Sequence, residues 1–297
     1  MRTPVVVLGP TASGKSDVAM AAARAVAGTE IVAVDAMQVY RGMDIGTAKP
    51  SIADRAAVIH HGLDLVDPPD EFTVSDYRAA YDRAVPSIGG RPLLVAGTGL
   101  YLTAVLDRLD LPGQWPDLRA ELAAEPDLSA LHRRLGDLDP VAAARIEPGN
   151  RRRIVRALEV VLGSGRPFSS FGPGLQAYPP TEAMLIGLRW PRRALAERIA
   201  ERVEAMIDAG LLDEVEHVAA GGMSRTARQA LGYKELLDHL DGRATLTEAV
   251  ASVVLRTRQF AVRQERWFRR DPRIRWIDVD RDPVSEVVPA VVDALRA

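Results

Sequence analysis

Short, largely apolar runs take turns with longer stretches of helical periodicity along this chain. Residues 5–8, 31–34, 93–96, 184–188 and 275–279 read as buried strands, and a shorter strand is expected near 63–66. Apolar positions spaced at three and four residues predict helices over 17–26, 75–87, 191–209, 227–239, 247–269 and 283–295. Strands that alternate with helices form a parallel sheet covered on both faces. Ligands of such sheets sit at the carboxyl ends of the strands.

One stretch breaks the alternation. Between Leu111-Pro112-Gly113 and Tyr178-Pro179-Pro180 no strand pattern occurs, only short helical patterns over 117–124, 128–135 and 151–162. The flanking Pro and Gly clusters suit hinges. The expected architecture is an α/β core, residues 1–113 and 179–297, with a small all-helical insertion domain at 114–178.

Composition narrows the function classes. The chain has 297 residues, 47% of them hydrophobic, enough for a sizeable core in one large or two smaller domains. A formal net charge of −2 gives no global attraction to nucleic acid, so any basic surface must be local. Cysteine is absent, which excludes disulfides, Cys–zinc sites and thiol nucleophiles. No signal-peptide pattern precedes the first strand, and no apolar run reaches the roughly 18–20 residues of a membrane span. A soluble, cytoplasmic, monomeric protein is the expectation. Lysine occurs only at Lys15, Lys49 and Lys234; every other basic residue apart from histidine is arginine.

The most specific local signal is Gly9-Pro10-Thr11-Ala12-Ser13-Gly14-Lys15-Ser16, which fits G-x-x-x-x-G-K-[ST] between a strand and a helix. Backbone N–H groups of such a loop turn inward around a phosphate, and the helix N-terminus adds partial positive charge. Lys15 supplies a full charge, and the Ser16 hydroxyl can hold a Mg²⁺ ion. The loop specifies a polyphosphate without specifying ATP. The second strand ends at Asp35, which places a carboxylate near that loop. From the residues alone Asp35 has three readings: a metal-binding carboxylate, a base that activates a bound acceptor, or a structural strand-end residue.

The chain resembles the tRNA dimethylallyltransferase (isopentenyltransferase) family. The resemblance rests on GPTASGKS at 9–16, DAMQVYRGMDIGTAKP at 35–50 and AGTGLYL at 96–102. GLLDEV at 210–215, QALGYKE at 229–235 and TRQFAVRQERWFR at 257–269 complete it, in the family's order and over most of the chain. It implies a P-loop-type parallel sheet flanked by helices. It also implies transfer of a dimethylallyl group from dimethylallyl diphosphate to the exocyclic amine of the adenine beside the tRNA anticodon. The implied roles are Asp35 as base, Lys15 and the 9–16 loop on the leaving diphosphate, and Mg²⁺ near Ser16. Gln38 matches the adenine-reading residue, flanked by Ala36 and Met37 on the tRNA-facing segment. Thr98 matches a hydroxyl at the reacting region, although Gly97-Thr98-Gly99 is also an ordinary strand-to-helix turn. Arg119, Arg152, Arg153, Arg156 and Gln229 match tRNA-facing positions; arginines on a solvated helix are the alternative for the first four.

The stretch 256–275 carries eight arginines interleaved with Phe260, Trp267 and Phe268. Phosphate contact plus stacking explains that mixture, with Arg258 and Arg266 as candidate tRNA contacts. Helical spacing sets Phe260 and Trp267 on one face, expected to be buried. The chain departs from the family pattern at Ala36, where serine is common, at Val262, where lysine is common, and at Arg266, where threonine is common. His60 and His61 match a paired-histidine segment without a third ligand, so no metal is expected there. The alternatives are a P-loop kinase of a small metabolite and a non-catalytic RNA-binding module. The kinase needs neither the 35–50 segment nor the arginine-rich helix.

Overall fold

The computed structural model of the chain describes residues 3–172, 174–175 and 177–297. Its elements fall into two compact units, one running to Leu106 and resuming at Pro180, the other spanning Asp107–Pro179. The first break comes earlier than the Pro112-Gly113 pair. Arg156 accounts for the difference, donating to the Pro112 carbonyl at 2.9 Å and so tying that linker to the helical unit.

In the first unit, β1 (Val5–Leu8) leads into α1 (Lys15–Ala25), followed by β2 (Glu30–Val34), α2 (Ile52–Ala57) and β3 (His60–His61). Then come α3 (Val74–Ala84), β4 (Pro92–Ala96) and α4 (Gly99–Leu106). The second unit holds α5 (Pro116–Ala124), α6 (Leu128–Leu138), α7 (Pro140–Arg145) and α8 (Arg151–Ser164). The first unit resumes with β5 (Met184–Arg189), α9 (Arg192–Asp208), α10 (Leu211–Ala220), α11 (Tyr233–Leu240), α12 (Leu246–Phe268), β6 (Ile274–Asp278) and α13 (Pro283–Arg296).

The six strands form one parallel sheet in the order β3-β2-β4-β1-β5-β6. All four residues of the central β1 are buried, as expected for a strand covered on both faces. The two-residue period divides the core. Val6, Leu8, Val34 and Leu94 join α3, α4, α10 and α11 on one face. Val5, Val7, Leu93 and Leu188 join α1, α9 and α13 on the other. Because β2, β4 and β1 are neighbours, the segments leaving their carboxyl ends lie side by side.

Two expectations need correction. The short strand is His60–His61, not 63–66; the chain turns at Gly62 and Asp64, both at positive φ, and Val66 makes only an isolated bridge to Tyr40. The helix expected over 227–239 breaks into a 3₁₀ turn, Ala227–Gln229, and α11. Gly232 lies between them at φ +91°, which an α-helix does not contain. No helix among the described residues is long and apolar enough to cross a membrane.

The helical unit has its own core of Leu122, Leu131, Leu135, Ile154 and Leu158. No strand occurs among its described residues. Side-chain caps from Asp127, Asp139 and Asn150 start α6, α7 and α8.

Candidate active site

The loop from Gly9 to Gly14 leaves β1 in a tight turn. Ala12 and Gly14 take left-handed φ values of 61° and 84°. Gly14 has a second constraint, since a Cβ there would lie 2.4 Å from Pro283 Cγ. The loop is braced from outside. Trp190 Nε1 donates to Ser13 O at 3.0 Å, and Arg198 Nε donates to Ala12 O at 2.9 Å. The Arg198 guanidinium lies over the Trp190 ring. Bound this way, the carbonyls of Ala12 and Ser13 are held by donors from other elements. The Ser13 hydroxyl is fully buried without a hydrogen-bond partner.

Lys15 Nζ donates to Pro10 O at 3.3 Å across the loop. Burial and the neighbouring Arg202 charge pull its pKa down to about 8, against the opposing pull of Asp35 and Asp17. Burial also lowers the pKa of Arg202, on α9. Lys15 and Arg202, both half-buried, share one electrostatic neighbourhood with the carboxylates of Asp17 and Asp35.

Asp35 follows β2. Its Oδ1 accepts from the Met37 N–H at 2.8 Å and the Gln38 N–H at 3.4 Å, which fixes the carboxylate. Thr98 Oγ1 accepts from the Ala36 N–H at 3.1 Å, so the segments after β2 and β4 are bonded to one another. Three groups meet at Gly97: a Cβ there would lie 3.0 Å from Asp35 Oδ2, 3.4 Å from Lys15 Cε and 3.6 Å from Gln264 Nε2. A side chain at 97 would therefore fill the space where the Asp35 carboxylate, the end of the Lys15 side chain and the Gln264 carboxamide converge. Gly99 is similarly constrained, because Trp267 Cδ1 sits 2.2 Å from where its Cβ would be.

Gln264 is the residue that sequence reasoning missed. Its Oε1 accepts from the Thr11 N–H and its Nε2 donates to the Gly97 carbonyl. The available signal was a polar residue on the buried stripe of α12, which comprises Ala249, Val253, Thr257, Ala261, Gln264 and Phe268. Phe260 and Trp267 flank that stripe half-buried, in place of forming it. Arg198 and Arg202 were also missed; nothing local marks them among the many arginines of α9.

The remaining predicted residues are more dispersed. Gln38 Nε2 donates to the carbonyls of Thr47 and Ala48 at 3.0 and 3.1 Å. Ser16 is exposed at the start of α1. Gln229 lines an open cavity of about 430 Å³ with Arg225, Arg228, Lys234 and Arg243. Arg258 and Arg266 are exposed on α12, and Arg258 donates to the Ala196 carbonyl. In the helical unit, Arg152 and Arg153 are exposed, whereas Arg119 and Arg156 both pair with Glu159, whose side chain is 0% exposed. Burial raises the Glu159 pKa, but the bonds from Arg119, the Trp115 N–H and Arg156 outweigh it and hold the carboxyl low.

Comparisons with known proteins agree on one family. The family model described as IPP transferase matches residues 38–271. A tRNA dimethylallyltransferase of Pseudarthrobacter chlorophenolicus is 49% identical over 290 residues, covering 94% of this chain and 95% of that protein. One of Paenarthrobacter aurescens is 45% identical, covering 100% and 96%. The crystal structure of the full-length tRNA isopentenylpyrophosphate transferase from Bacillus halodurans superposes with a TM-score of 0.71 at 36% identity, covering 100% of this chain and 97% of that one. With its sheet, its converging loops and its near end-to-end similarity to these proteins, the chain belongs to the tRNA dimethylallyltransferase (IPP transferase) family.

Proposed function

We propose that this chain transfers a dimethylallyl group from dimethylallyl diphosphate to the exocyclic amine of the adenine adjacent to the anticodon of tRNA, releasing diphosphate. The observation that carries it is the convergence of Asp35, Lys15 and Gln264 at Gly97, in a member of this family. The small-metabolite kinase has no support among the relatives.

The 9–16 loop binds the diphosphate. Amides at the start of α1, Lys15 and Arg202 face the growing negative charge of the leaving group, where preorganised cations lower the barrier most. Asp35 is the base. Its Oδ1 is occupied by two backbone N–H groups, so Oδ2, turned toward Gly97, takes the amine proton. As the amine nitrogen bonds to the allylic carbon, the carbon–oxygen bond to diphosphate breaks and its electron pair stays on the diphosphate. Thr98 accepts from the backbone, which leaves its own O–H hydrogen to donate. Gln38 spends both N–H groups on carbonyls and so presents Oε1, an acceptor for the adenine amine.

The residues present fit a Mg²⁺ ion held largely by the substrate. Ser16 offers one exposed hydroxyl, and no group of three or more His, Cys, Asp or Glu gathers among the described residues. Mg²⁺ takes most of its ligands from phosphate oxygens and water in such sites, and there it supplies charge neutralisation. The exposed arginines Arg152, Arg153, Arg258 and Arg266 are the proposed tRNA-backbone contacts. The protein is proposed to act as a cytoplasmic monomer.

The test is incubation with dimethylallyl diphosphate and unmodified tRNA, followed by nucleoside mass analysis. Adenosine gaining one five-carbon unit is the expected product. ATP turnover without prenylated adenosine would reject the reading.

A further inference from the structure

Glu214 and Tyr233 belong to the motifs at 210–215 and 229–235, to which the transfer chemistry gives no role. Glu214 Oε2 accepts from the backbone N–H groups of Asp44 and Ile45, at 2.8 and 2.7 Å. Its Oε1 accepts from the Gly46 N–H at 3.0 Å and from the Tyr233 hydroxyl at 2.5 Å. Three successive amides of one loop thus close around a carboxylate from a helix some 170 residues away in sequence. Burial, reinforced by the Glu214 carboxylate, raises the Tyr233 pKa far above its ordinary value, so the phenol remains a donor. The Tyr233 ring presses on the same loop, with Cε2 2.5 Å from where a Gly46 Cβ would lie.

The held loop passes its position on. The next two carbonyls, of Thr47 and Ala48, are the acceptors of Gln38 Nε2. Lys49 closes the turn from inside, its side chain 1% exposed and its ammonium bonded to Tyr40 O, Asp44 and Asp64. The orientation of the Gln38 carboxamide therefore depends on where residues 44–48 are held.

We propose that Glu214, backed by Tyr233, is a positioning residue for the acceptor: it fixes the 44–48 loop and so turns Gln38 Oε1 toward the base to be modified. The proposal rests on the transfer reaction given above. A purely structural staple would lower stability and weaken both substrates together. A positioning residue acts on the acceptor alone, and acts through Gln38.

The experiment compares the wild type with Glu214→Gln, Tyr233→Phe, Gln38→Ala and the Glu214→Gln/Gln38→Ala double variant. Each is assayed for prenyl transfer to an unmodified anticodon stem-loop, with diphosphate affinity measured by calorimetry. A glutamine at 214 has one acceptor oxygen for four donors and turns an NH₂ group toward N–H groups. The stem-loop KM should rise about 10-fold or more in Glu214→Gln, with diphosphate affinity unchanged within about twofold. Tyr233→Phe should move the same way by about 2–5-fold, and the double variant should be no worse than the worse single variant. Additive losses, equal weakening of diphosphate, or an unchanged stem-loop KM would each overturn the proposal. If Glu214→Gln does not fold, the same cycle built on Tyr233→Phe and Gln38→Ala decides it. A wild type that makes no prenylated adenosine would remove the reaction itself. Loss of hydrogen-exchange protection at 44–46 in Glu214→Gln would then show the loop anchor independently.

Discussion

The Gln264 Nε2 donates to the Gly97 carbonyl oxygen over 2.7 Å, and the same carboxamide accepts from the Thr11 N–H at 2.9 Å. One side chain on α12 therefore ties the loop proposed for the leaving diphosphate to the turn that carries Thr98. Gln264→Leu keeps the size and removes both bonds. It leaves a backbone N–H and a carbonyl without their partner, at a cost of about 1–3 kcal/mol. We expect a lower unfolding midpoint and a single-turnover rate reduced about 10-fold, the loss that a small displacement of reacting groups produces. A normal rate at reduced stability would make Gln264 a structural residue only.

Asp35→Asn retains an acceptor oxygen for the Met37 and Gln38 N–H groups and removes the proposed base. Turnover should fall about 10²-fold or more, with tRNA and diphosphate affinity preserved. Rapid-quench measurement of prenylated adenosine checks it. Turnover near the wild-type level would take Asp35 out of the mechanism.

Lys15 predicts a pH dependence. Its pKa of about 8 in the folded protein lies below the ordinary lysine value of 10.5. Between those values the unfolded chain binds more protons than the folded one, so the Lys15 contribution to stability rises with pH across that window. Diphosphate binding has the opposite sign, because the bound anion needs the ammonium. Affinity should be level below pH 8 and fall as pH rises above it, by up to about tenfold per unit. Calorimetry at several pH values tests this. In Lys15→Met, weaker binding with no such fall above pH 8 is the expected control.

In the helical unit, the two classes of arginine should separate. Glu159→Leu leaves Arg119 and Arg156 without their shared buried carboxylate, and breaking a pair of this kind costs about 3–5 kcal/mol. Thermal unfolding of that variant should show it. Arg152→Ala and Arg153→Ala remove exposed side chains and should leave stability unchanged. Each should flatten the salt dependence of tRNA binding by about 0.7–0.9 in log–log slope per lost phosphate contact. An unchanged slope in both variants would remove them from the tRNA surface.

Legible in the chain alone were the alternation of strands and helices, the Gly-rich loop motif at 9–16 and the carboxylate at the end of β2. These signals are local: a two-residue or 3.6-residue period, or a motif whose residues are neighbours in the chain. The sequence also marked the strand-free stretch at 114–178, whose elements close their own core; the structure moved its start to Asp107. The tertiary structure decided what surrounds those signals. Gln264 reaches Thr11 across 253 residues and Glu214 reaches Gly46 across 168, so no spacing rule connects them. It divided arginines that look alike in sequence. Arg119 and Arg156 are spent on Glu159, Arg198 braces the loop, and Arg152 and Arg153 remain at the surface. A guanidinium has the same chemistry at every position. Its role is set by which carboxylate, carbonyl or open surface the fold brings within about 3 Å of it, the range of a hydrogen bond, and that is a property of packing among distant segments.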